Sequence, residues 1–248
     1  MAPSLRDLDI AVLAGGLGTR LASVVSGLPK ILAPVGNRPF LDYFLLWLAA
    51  NGATRVLLCL GHRADAVQEY LARSGSLPVE VSVVVETMPL GTAGAVNFAL
   101  PHLRSDPVLI LNGDSYVDAA LGDFLREHLR SGALASILCA QVPDSGRYGR
   151  VEIDSHQHIA QFREKDGRAA GAGWISAGVY AISQRLLSQI AAFPTGSLER
   201  DVLEVLPAGT IHAFRTTGQF LDIGTPEALA SAAELFSRRF VNCAERRL

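Results

Sequence analysis

The sequence predicts an α/β fold, with a mixed, mainly parallel sheet that is covered by helices on both faces. In the first half of the chain, short and almost entirely apolar runs alternate with segments whose apolar residues recur at helical spacing. Apolar strands of this kind are typical of parallel sheets buried between helices, and alternating strands and helices supply the connections that such sheets need. We therefore expect a Rossmann-like architecture.

The first half of the chain provides the predicted parallel strands and their helices. The first strand is the apolar run 10–14, which Gly15-Gly16 ends sharply. A helix is predicted from Phe40, because the apolar residues after it follow helical spacing and Gly52 occupies the position of a C-terminal cap. The next elements are predicted in order as a strand at 56–60, a helix at 64–73, a strand at 79–85, a helix at 93–100 and a strand at 108–111.

The second half of the chain predicts a different kind of sheet. After a helix at 121–129 and an apolar run at 135–142, the pattern changes to shorter and more polar strands at 150–153 and 158–162. We interpret these strands as a mixed extension of the sheet, followed by a last strand at 220–223 and a final helix after Thr225-Pro226. The chain contains no internal repeat and no clear linker, so a single domain over residues 1–248 is expected.

The composition is that of an ordinary globular protein. Hydrophobic residues make up 49% of the chain and charged residues 19%, and the net charge is -2, so no broad positive field attracts nucleic acid. The longest apolar stretch, 44–50, is too short to span a membrane, and no apolar signal segment begins the chain. The three cysteines form no disulfide framework and no zinc spacing. We expect a cytoplasmic protein without nucleic-acid or membrane partners.

The loop after the first strand is the strongest candidate for a binding segment. It reads Gly15-Gly16-Leu17-Gly18-Thr19-Arg20, and its glycines allow backbone N–H groups to approach phosphate oxygens. It matches neither the dinucleotide fingerprint nor a P-loop. Arg20 can bind two phosphate oxygens at once, and Lys30, after Pro29, supplies a compact charge. Taken alone, the segment also fits a structural glycine turn with two exposed cations.

The chain resembles the sugar-1-phosphate nucleotidylyltransferases, whose signature is a G-G-x-G-T-R-L loop followed by P-K. Both parts are present unaltered, and further segments match in the order of the family at 32–35, 89–94, 112–114, 162–165 and 220–226. The resemblance implies the fold of the nucleotide-diphospho-sugar transferases, with nucleotide binding in about 1–115 and sugar-phosphate binding in about 116–248. It also implies that a sugar phosphate oxygen attacks the α-phosphorus of a nucleoside triphosphate, with Mg²⁺ as cofactor, and that pyrophosphate leaves.

The resemblance assigns catalysis to four charged residues. Arg20 is expected at the leaving phosphates and Lys30 at the α-phosphate. Asp114 and Asp222 are expected to bind Mg²⁺, although from the sequence alone they fit equally a turn and a strand end before a helix cap. The wider set of expected nucleotide-binding residues is Leu13, Ala14, Gly15, Gly16, Gly18, Thr19, Arg20, Lys30, Glu86, Pro89, Gly91, Thr92, Asn112 and Gly113.

The resemblance places the sugar phosphate against a second set of residues. These are Tyr148, Gly149, Glu164, Lys165, Ser176, Gly178 and Glu199. Lys165 resembles the lysine that holds the phosphate. Glu199 resembles an acceptor for sugar hydroxyls, but Ser197 also fits a helix cap with Glu199 in the first turn. Ser176 replaces an asparagine found in many relatives, so the sugar contact there is direct, water-mediated or lost.

The loop after the strand at 79–85 is expected to select the nucleobase. Guanine presents two adjacent N–H donors, which Glu86 and the carbonyls of 89–94 can accept, so GTP is expected. The short chain and the run 23–30 most resemble guanylyltransferases of D-glycero-D-manno-heptose 1-phosphate. A uridylyltransferase, a mannose-1-phosphate guanylyltransferase and a non-catalytic regulatory paralogue stay open. A homo-oligomer also stays open, because the apolar face of the final helix fits the core or a second subunit.

Overall fold

A computed structural model describes residues 4–16, 27–146, 148–163 and 171–244 of the chain, with side chains as far as Phe240. The strands in these residues are β1 (Ile10–Ala14), β2 (Pro34–Val35), β3 (Arg38–Pro39), β4 (Arg55–Leu60), β5 (Glu80–Val85), β6 (Val108–Asn112), β7 (Ser115–Val117), β8 (Ala135–Val142), β9 (Arg150–Ile153), β10 (Ile159–Arg163), β11 (Gly173–Ile182), β12 (Ile211–Thr216) and β13 (Phe220–Asp222). The α-helices are α1 (Phe40–Ala50), α2 (Ala64–Arg73), α3 (Gly91–Ala99), α4 (Leu121–Ser131), α5 (Gln184–Ile190) and α6 (Pro226–Ala244).

One mixed sheet forms the framework of the described residues. Its order runs β5-β4-β1-β6-β11, and β1, β4, β5 and β6 pair in parallel. The long strand β11 lies antiparallel to β6 and continues the sheet to β8 on one branch and to β9 on the other. β12 pairs with β8 in parallel, and β10 pairs with β9 antiparallel. The predicted mixed, mainly parallel, Rossmann-like sheet is confirmed.

Helices cover both faces of this sheet, as predicted. One hydrophobic cluster includes Phe44 of α1, Phe124 of α4 and Phe236 of α6. A separate cluster on the other face includes Val96 of α3 and Leu187 of α5. The apolar runs that were predicted to be strands are therefore buried on both faces. This explains why they lack the alternation of apolar and polar residues that a half-exposed strand shows.

Local signals fix where several helices begin and end. Gly52 has a φ of 91° directly after the last turn of α1, and Gly132 at the end of α4 has a φ of 63°. The Ser183 hydroxyl accepts from the N–H of Leu186 at the start of α5, and the Thr225 hydroxyl accepts from Ala228 at the start of α6. These are the capping interactions that the residue types favour.

The predicted last strand lies in a different sheet. β13 pairs antiparallel with β7 in a small two-stranded sheet, and it does not join the main sheet. β12, α5 and the short hairpin of β2 and β3 were not predicted. Among the described residues, no helix is both long enough and apolar enough to cross a membrane.

Candidate functional site

The parallel strands end on one side of the sheet, which we call the carboxyl edge. The residues directly after β1, β4, β5 and β6 are Gly15, Gly61, Glu86 and Gly113. The Gly113 N–H donates to the Leu13 carbonyl at 2.9 Å, so the turn after β6 rests on the end of β1. Open α/β sheets bind their ligands at this edge, and the predicted residues Gly15, Glu86 and Gly113 lie here.

Two predicted carboxylates meet at this edge because the small sheet brings them together. Asp114 immediately precedes β7, and Asp222 ends β13 directly opposite Ser115. The Ile223 N–H donates to the Asp114 carbonyl at 3.0 Å, and the Ser115 hydroxyl donates to Asp114 Oδ1 at 3.1 Å. The pairing of β7 with β13 in this separate sheet therefore places Asp222 beside Asp114.

Lys30 joins the two carboxylates. Its Nζ lies 2.6 Å from Asp114 Oδ2 and 3.1 Å from Asp222 Oδ1. Its side chain is only 15% exposed, so solvent screens this charge less than it screens a surface pair. The buried Ile31 and Leu32 of the same short 3-10 turn hold the lysine in place. Three of the four predicted catalytic residues thus share one site; the fourth, Arg20, lies outside the described residues, together with Gly18 and Thr19.

Glu86 occupies a space that two glycines leave open. A Cβ placed on Gly15 or on Gly61 would lie 2.5 Å from Glu86 Oε1 in either case. Oε2 is buried and has no hydrogen-bond partner among the described residues. Burial raises the pKa of Glu86 above its ordinary value, while a hydrogen bond from the Leu90 backbone acts in the opposite direction. Leaving a buried carboxylate oxygen without a hydrogen-bond donor is costly.

A cavity of about 310 Å³, which we call the Glu199 cavity, lies beside the long strand β11. Its lining includes Tyr148, Gly149, Ser176 and Glu199, four of the seven predicted sugar-phosphate residues. Gly178 lies two residues further along β11, where a Cβ would meet Asn112 Nδ2 at 2.8 Å. Glu164 and Lys165 lie outside the described residues.

Tyr180 orients the carboxylate of Glu199, and the sequence did not predict this role. The Tyr180 hydroxyl donates to Glu199 Oε1 at 2.6 Å and accepts from the Ser176 hydroxyl at 3.1 Å. Burial, followed by the charge of Glu199, raises the pKa of Tyr180 well above its ordinary value, so the hydroxyl stays a donor. Its neighbour Gly178 has a φ of 72° beside a register shift in β11, which changes the alternation of side chains that a regular strand shows.

Ser197 caps a helical turn, and Glu199 lies in the first turn after it. A π-helical turn spans Leu198–Leu203, and the Ser197 hydroxyl accepts from the Arg200 N–H at 3.3 Å as a cap. Asp201 accepts from the Ser197 N–H at 2.6 Å, which closes the turn. Glu199 in the first turn faces the Glu199 cavity all the same. The cap and the candidate ligand are therefore parts of one structure.

The segment from Pro89 to Thr92 begins α3, next to Glu86. Gly91 has a φ of 72°, and a Cβ there would lie 2.4 Å from the carbonyl oxygen of Gly196. The Thr92 hydroxyl accepts from the Leu198 N–H at 2.7 Å. The predicted nucleotide segment is therefore bonded directly to the segment that carries Glu199, a contact that nothing in the sequence signals.

Comparison with known proteins gives consistent matches over almost the whole chain. A family model described as nucleotidyl transferase matches residues 10–238. The chain is 30% identical over 220 residues to a D-glycero-alpha-D-manno-heptose 1-phosphate guanylyltransferase of Campylobacter jejuni, covering 89% of this chain and 96% of that protein. It is 29% identical over 224 residues to a mannose-1-phosphate guanylyltransferase of Mycobacterium tuberculosis, covering 89% and 62%. The crystal structure of HddC from Yersinia pseudotuberculosis complexed with GMP-PN superposes with a TM-score of 0.82 at 33% identity, covering 92% and 99%.

Proposed function

Because the chain belongs to the nucleotidyl transferase family, we propose that it transfers GMP from GTP to D-glycero-α-D-manno-heptose 1-phosphate and releases pyrophosphate. One observation carries this proposal: Lys30, Asp114 and Asp222 converge at the carboxyl edge. On one side of them along the sheet lies Glu86, whose Oε2 is unpaired among the described residues, and on the other lies β11 with the Glu199 cavity. A triphosphate that bridges these two places would have its reacting phosphorus near the charged cluster.

Asp114 and Asp222 would hold Mg²⁺. The two carboxylates lie close together, because both contact Lys30 Nζ. Among the described residues, no group of three or more His, Cys, Asp or Glu side chains suited to a metal occurs. Two carboxylates fit Mg²⁺, which usually takes its other ligands from phosphates and water. When bound, the ion would offset the negative charge that gathers on the phosphates during transfer.

Lys30 would provide the protein's own positive charge at the reaction centre. The attacking phosphate oxygen is already anionic, so the reaction needs alignment and charge compensation and no general base. Lys30 would face the α-phosphate, and its ion pairs with Asp114 and Asp222 would hold it in that position. Arg20 in the glycine-rich loop would bind the departing pyrophosphate, with Gly18 and Thr19 contributing backbone N–H groups.

Glu86 would read the base. Its unpaired, buried oxygen can accept one N–H of guanine, and the other oxygen lies beside it between Gly15 and Gly61. A buried acceptor that stays unpaired without the correct donor discriminates strongly against other bases. The names of the relatives, heptose and mannose guanylyltransferases, support the same base.

The Glu199 cavity would receive the sugar. Glu199 and Ser176 would contact sugar hydroxyls, with Tyr148 and Gly149 as neighbours. Glu164 and Lys165 would act on the phosphate. The heptose rather than mannose is proposed because the match covers 96% of the Campylobacter jejuni heptose enzyme but only 62% of the mannose enzyme.

The reaction would take place in the cytoplasm, where the buried free thiols of Cys59 and Cys139 stay reduced. The nucleotide part would end near residue 115, and the sugar-phosphate part would follow it. A homo-oligomer is compatible with this arrangement.

The deciding experiment measures pyrophosphate release with each nucleoside triphosphate against a panel of sugar 1-phosphates in Mg²⁺. We expect the highest kcat/KM for GTP with the heptose 1-phosphate. A preference for UTP would overturn the assignment of the base, and a preference for mannose 1-phosphate would overturn that of the sugar. The absence of release with every pair would favour a non-catalytic regulatory protein.

A further inference from the structure

The start of α3 and the segment that carries Glu199 form one hydrogen-bonded unit. The Gly196 N–H donates to the Leu90 carbonyl at 2.9 Å, and the Ala93 N–H donates to the Gly196 carbonyl at 2.9 Å. A third bond runs from the Leu198 N–H to the Thr92 hydroxyl at 2.7 Å and joins residues 106 positions apart. These bonds connect the proposed base-reading segment with the proposed sugar-binding turn.

Close packing reinforces this connection. A Cβ on Gly91 would lie 2.4 Å from the Gly196 carbonyl oxygen, and a Cβ on Gly94 would lie 2.6 Å from the Pro194 carbonyl oxygen. At these two glycines, backbone therefore packs against backbone. A displacement of either segment would be transmitted to the other.

Glu199 is consequently fixed at two points. Tyr180 holds its carboxylate, and Thr92 holds the backbone at Leu198, the first residue of the π-helical turn. Leu198 is 1% exposed, so water cannot readily replace the threonine oxygen as the partner of its N–H. Of these two anchors, Thr92 is the one that belongs to the nucleotide segment.

We propose that Thr92 is a positioning residue for the sugar-binding carboxylate Glu199, and that it links acceptor binding to the nucleotide segment. The sequence predicted that Thr92 contacts the nucleotide. That contact stays a prediction; in the structure its hydroxyl oxygen accepts from the Leu198 N–H and so supports the turn on the acceptor side. This inference depends on the proposed function, because it requires that Glu199 binds the sugar.

The test compares three substitutions at this position. T92V and T92A remove the hydroxyl, whereas T92S keeps it. Loss of one hydrogen bond of this kind should raise KM for the sugar 1-phosphate about three- to tenfold. The rise in KM for the sugar 1-phosphate should exceed any rise in KM for GTP, and T92S should restore acceptor KM. If T92V folds poorly, T92A replaces it as the variant that lacks the hydroxyl. Equal rises in both KM values, or no change in acceptor KM, would overturn the proposal.

Hydrogen exchange provides a second readout that does not depend on turnover. The Leu198 amide should exchange faster in T92V than in wild type and should be protected again in T92S. Unchanged exchange at Leu198 in T92V would contradict the proposed anchor. If the wild type is active and T92V binds the sugar 1-phosphate normally, only the proposed role of Thr92 is wrong. If the wild type is inactive with every substrate pair, the proposed function is wrong, and the role of Thr92, which depends on it, is wrong too.

Discussion

The carboxyl edge and the Glu199 cavity are built in different ways. At the carboxyl edge, Gly15, Gly61, Glu86 and Gly113 each come directly after a parallel strand, so the sheet alone places them. In the Glu199 cavity, the central carboxylate comes from a π-helical turn that follows no strand. Two hydrogen bonds support it: the Tyr180 hydroxyl donates to Glu199, and the Leu198 N–H at the start of the turn donates to the Thr92 hydroxyl.

This difference indicates which changes each region tolerates. A substitution at the carboxyl edge removes a group whose position is secured by the backbone of the whole sheet, so the chemistry should be lost while the geometry survives. A substitution around the Glu199 cavity removes a support, so the carboxylate stays present but is less well oriented. The first region should respond in kcat or in base selectivity, and the second in KM for the acceptor.

Asp114 provides the largest expected effect. D114N keeps the shape of the side chain but removes one of the two carboxylates proposed to hold Mg²⁺, so kcat should fall about 10²- to 10³-fold. The matched control is D118N, because Asp118 follows the same strand β7 and pairs with Arg239 away from Lys30. Pyrophosphate release and thermal unfolding should be measured together. A folded D114N enzyme with nearly normal kcat would refute the metal assignment.

Glu86 tests the base-reading end of the carboxyl edge. E86Q replaces an acceptor with a mixed donor and acceptor, so KM for GTP should rise about 10- to 100-fold. Because burial raises the pKa of Glu86, wild-type KM for GTP should rise as the pH falls through that raised pKa, where the carboxyl gains a proton. E86Q should lose this pH dependence.

The control for Glu86 is E80Q at the exposed start of the same strand β5. It should leave KM for GTP and its pH profile unchanged. Persistence of the wild-type pH profile in E86Q would assign that titration to another group and would remove the base-reading role.

A substitution of Tyr180 tests whether its hydroxyl orients the carboxylate of Glu199. Y180F removes the donor that orients the carboxylate, so KM for the sugar 1-phosphate should rise about tenfold while KM for GTP changes little. Y70F is a matched control, because Tyr70 also donates to a carboxylate, Asp42, at 2.6 Å but between α1 and α2. Similar acceptor KM values in Y180F and Y70F would show that Tyr180 does not orient the acceptor site.

The same contrast explains how much the sequence could predict. The strands and helices of the first half were predicted well, because apolar runs and glycine punctuation are local signals that burial on both faces produces. Lys30, Asp114 and Asp222 were predicted from a resemblance, and the structure brings them together. The positions of Glu164, Lys165 and Arg20 stay predictions.

The supports of the Glu199 cavity could not be predicted in this way. The bond from Leu198 to Thr92 joins residues far apart in sequence, and hydroxyl and amide groups have no periodicity that reveals their partner. The pairing of Tyr180 with Glu199 could not be predicted either, because the register shift in β11 interrupts the alternation of side chains along the strand. The strand at β13 was predicted, but its pairing with β7 was not, because a three-residue strand carries no sequence signal of its partner.

The smallest effect is expected at Ser197, where a substitution tests whether the helix cap also positions Glu199. S197A removes the hydroxyl that accepts from the Arg200 N–H, and S183A removes the equivalent cap of α5. Each loss should lower the free energy of unfolding by about 1 kcal/mol. Only S197A should also raise KM for the sugar 1-phosphate, about two- to threefold, because its turn presents Glu199 whereas α5 lines no part of the cavity. Denaturant unfolding and acceptor KM measured on both variants decide the matter. If S197A loses stability but binds acceptor as well as S183A does, the turn supports the fold alone, and Tyr180 and Thr92 are sufficient to orient Glu199.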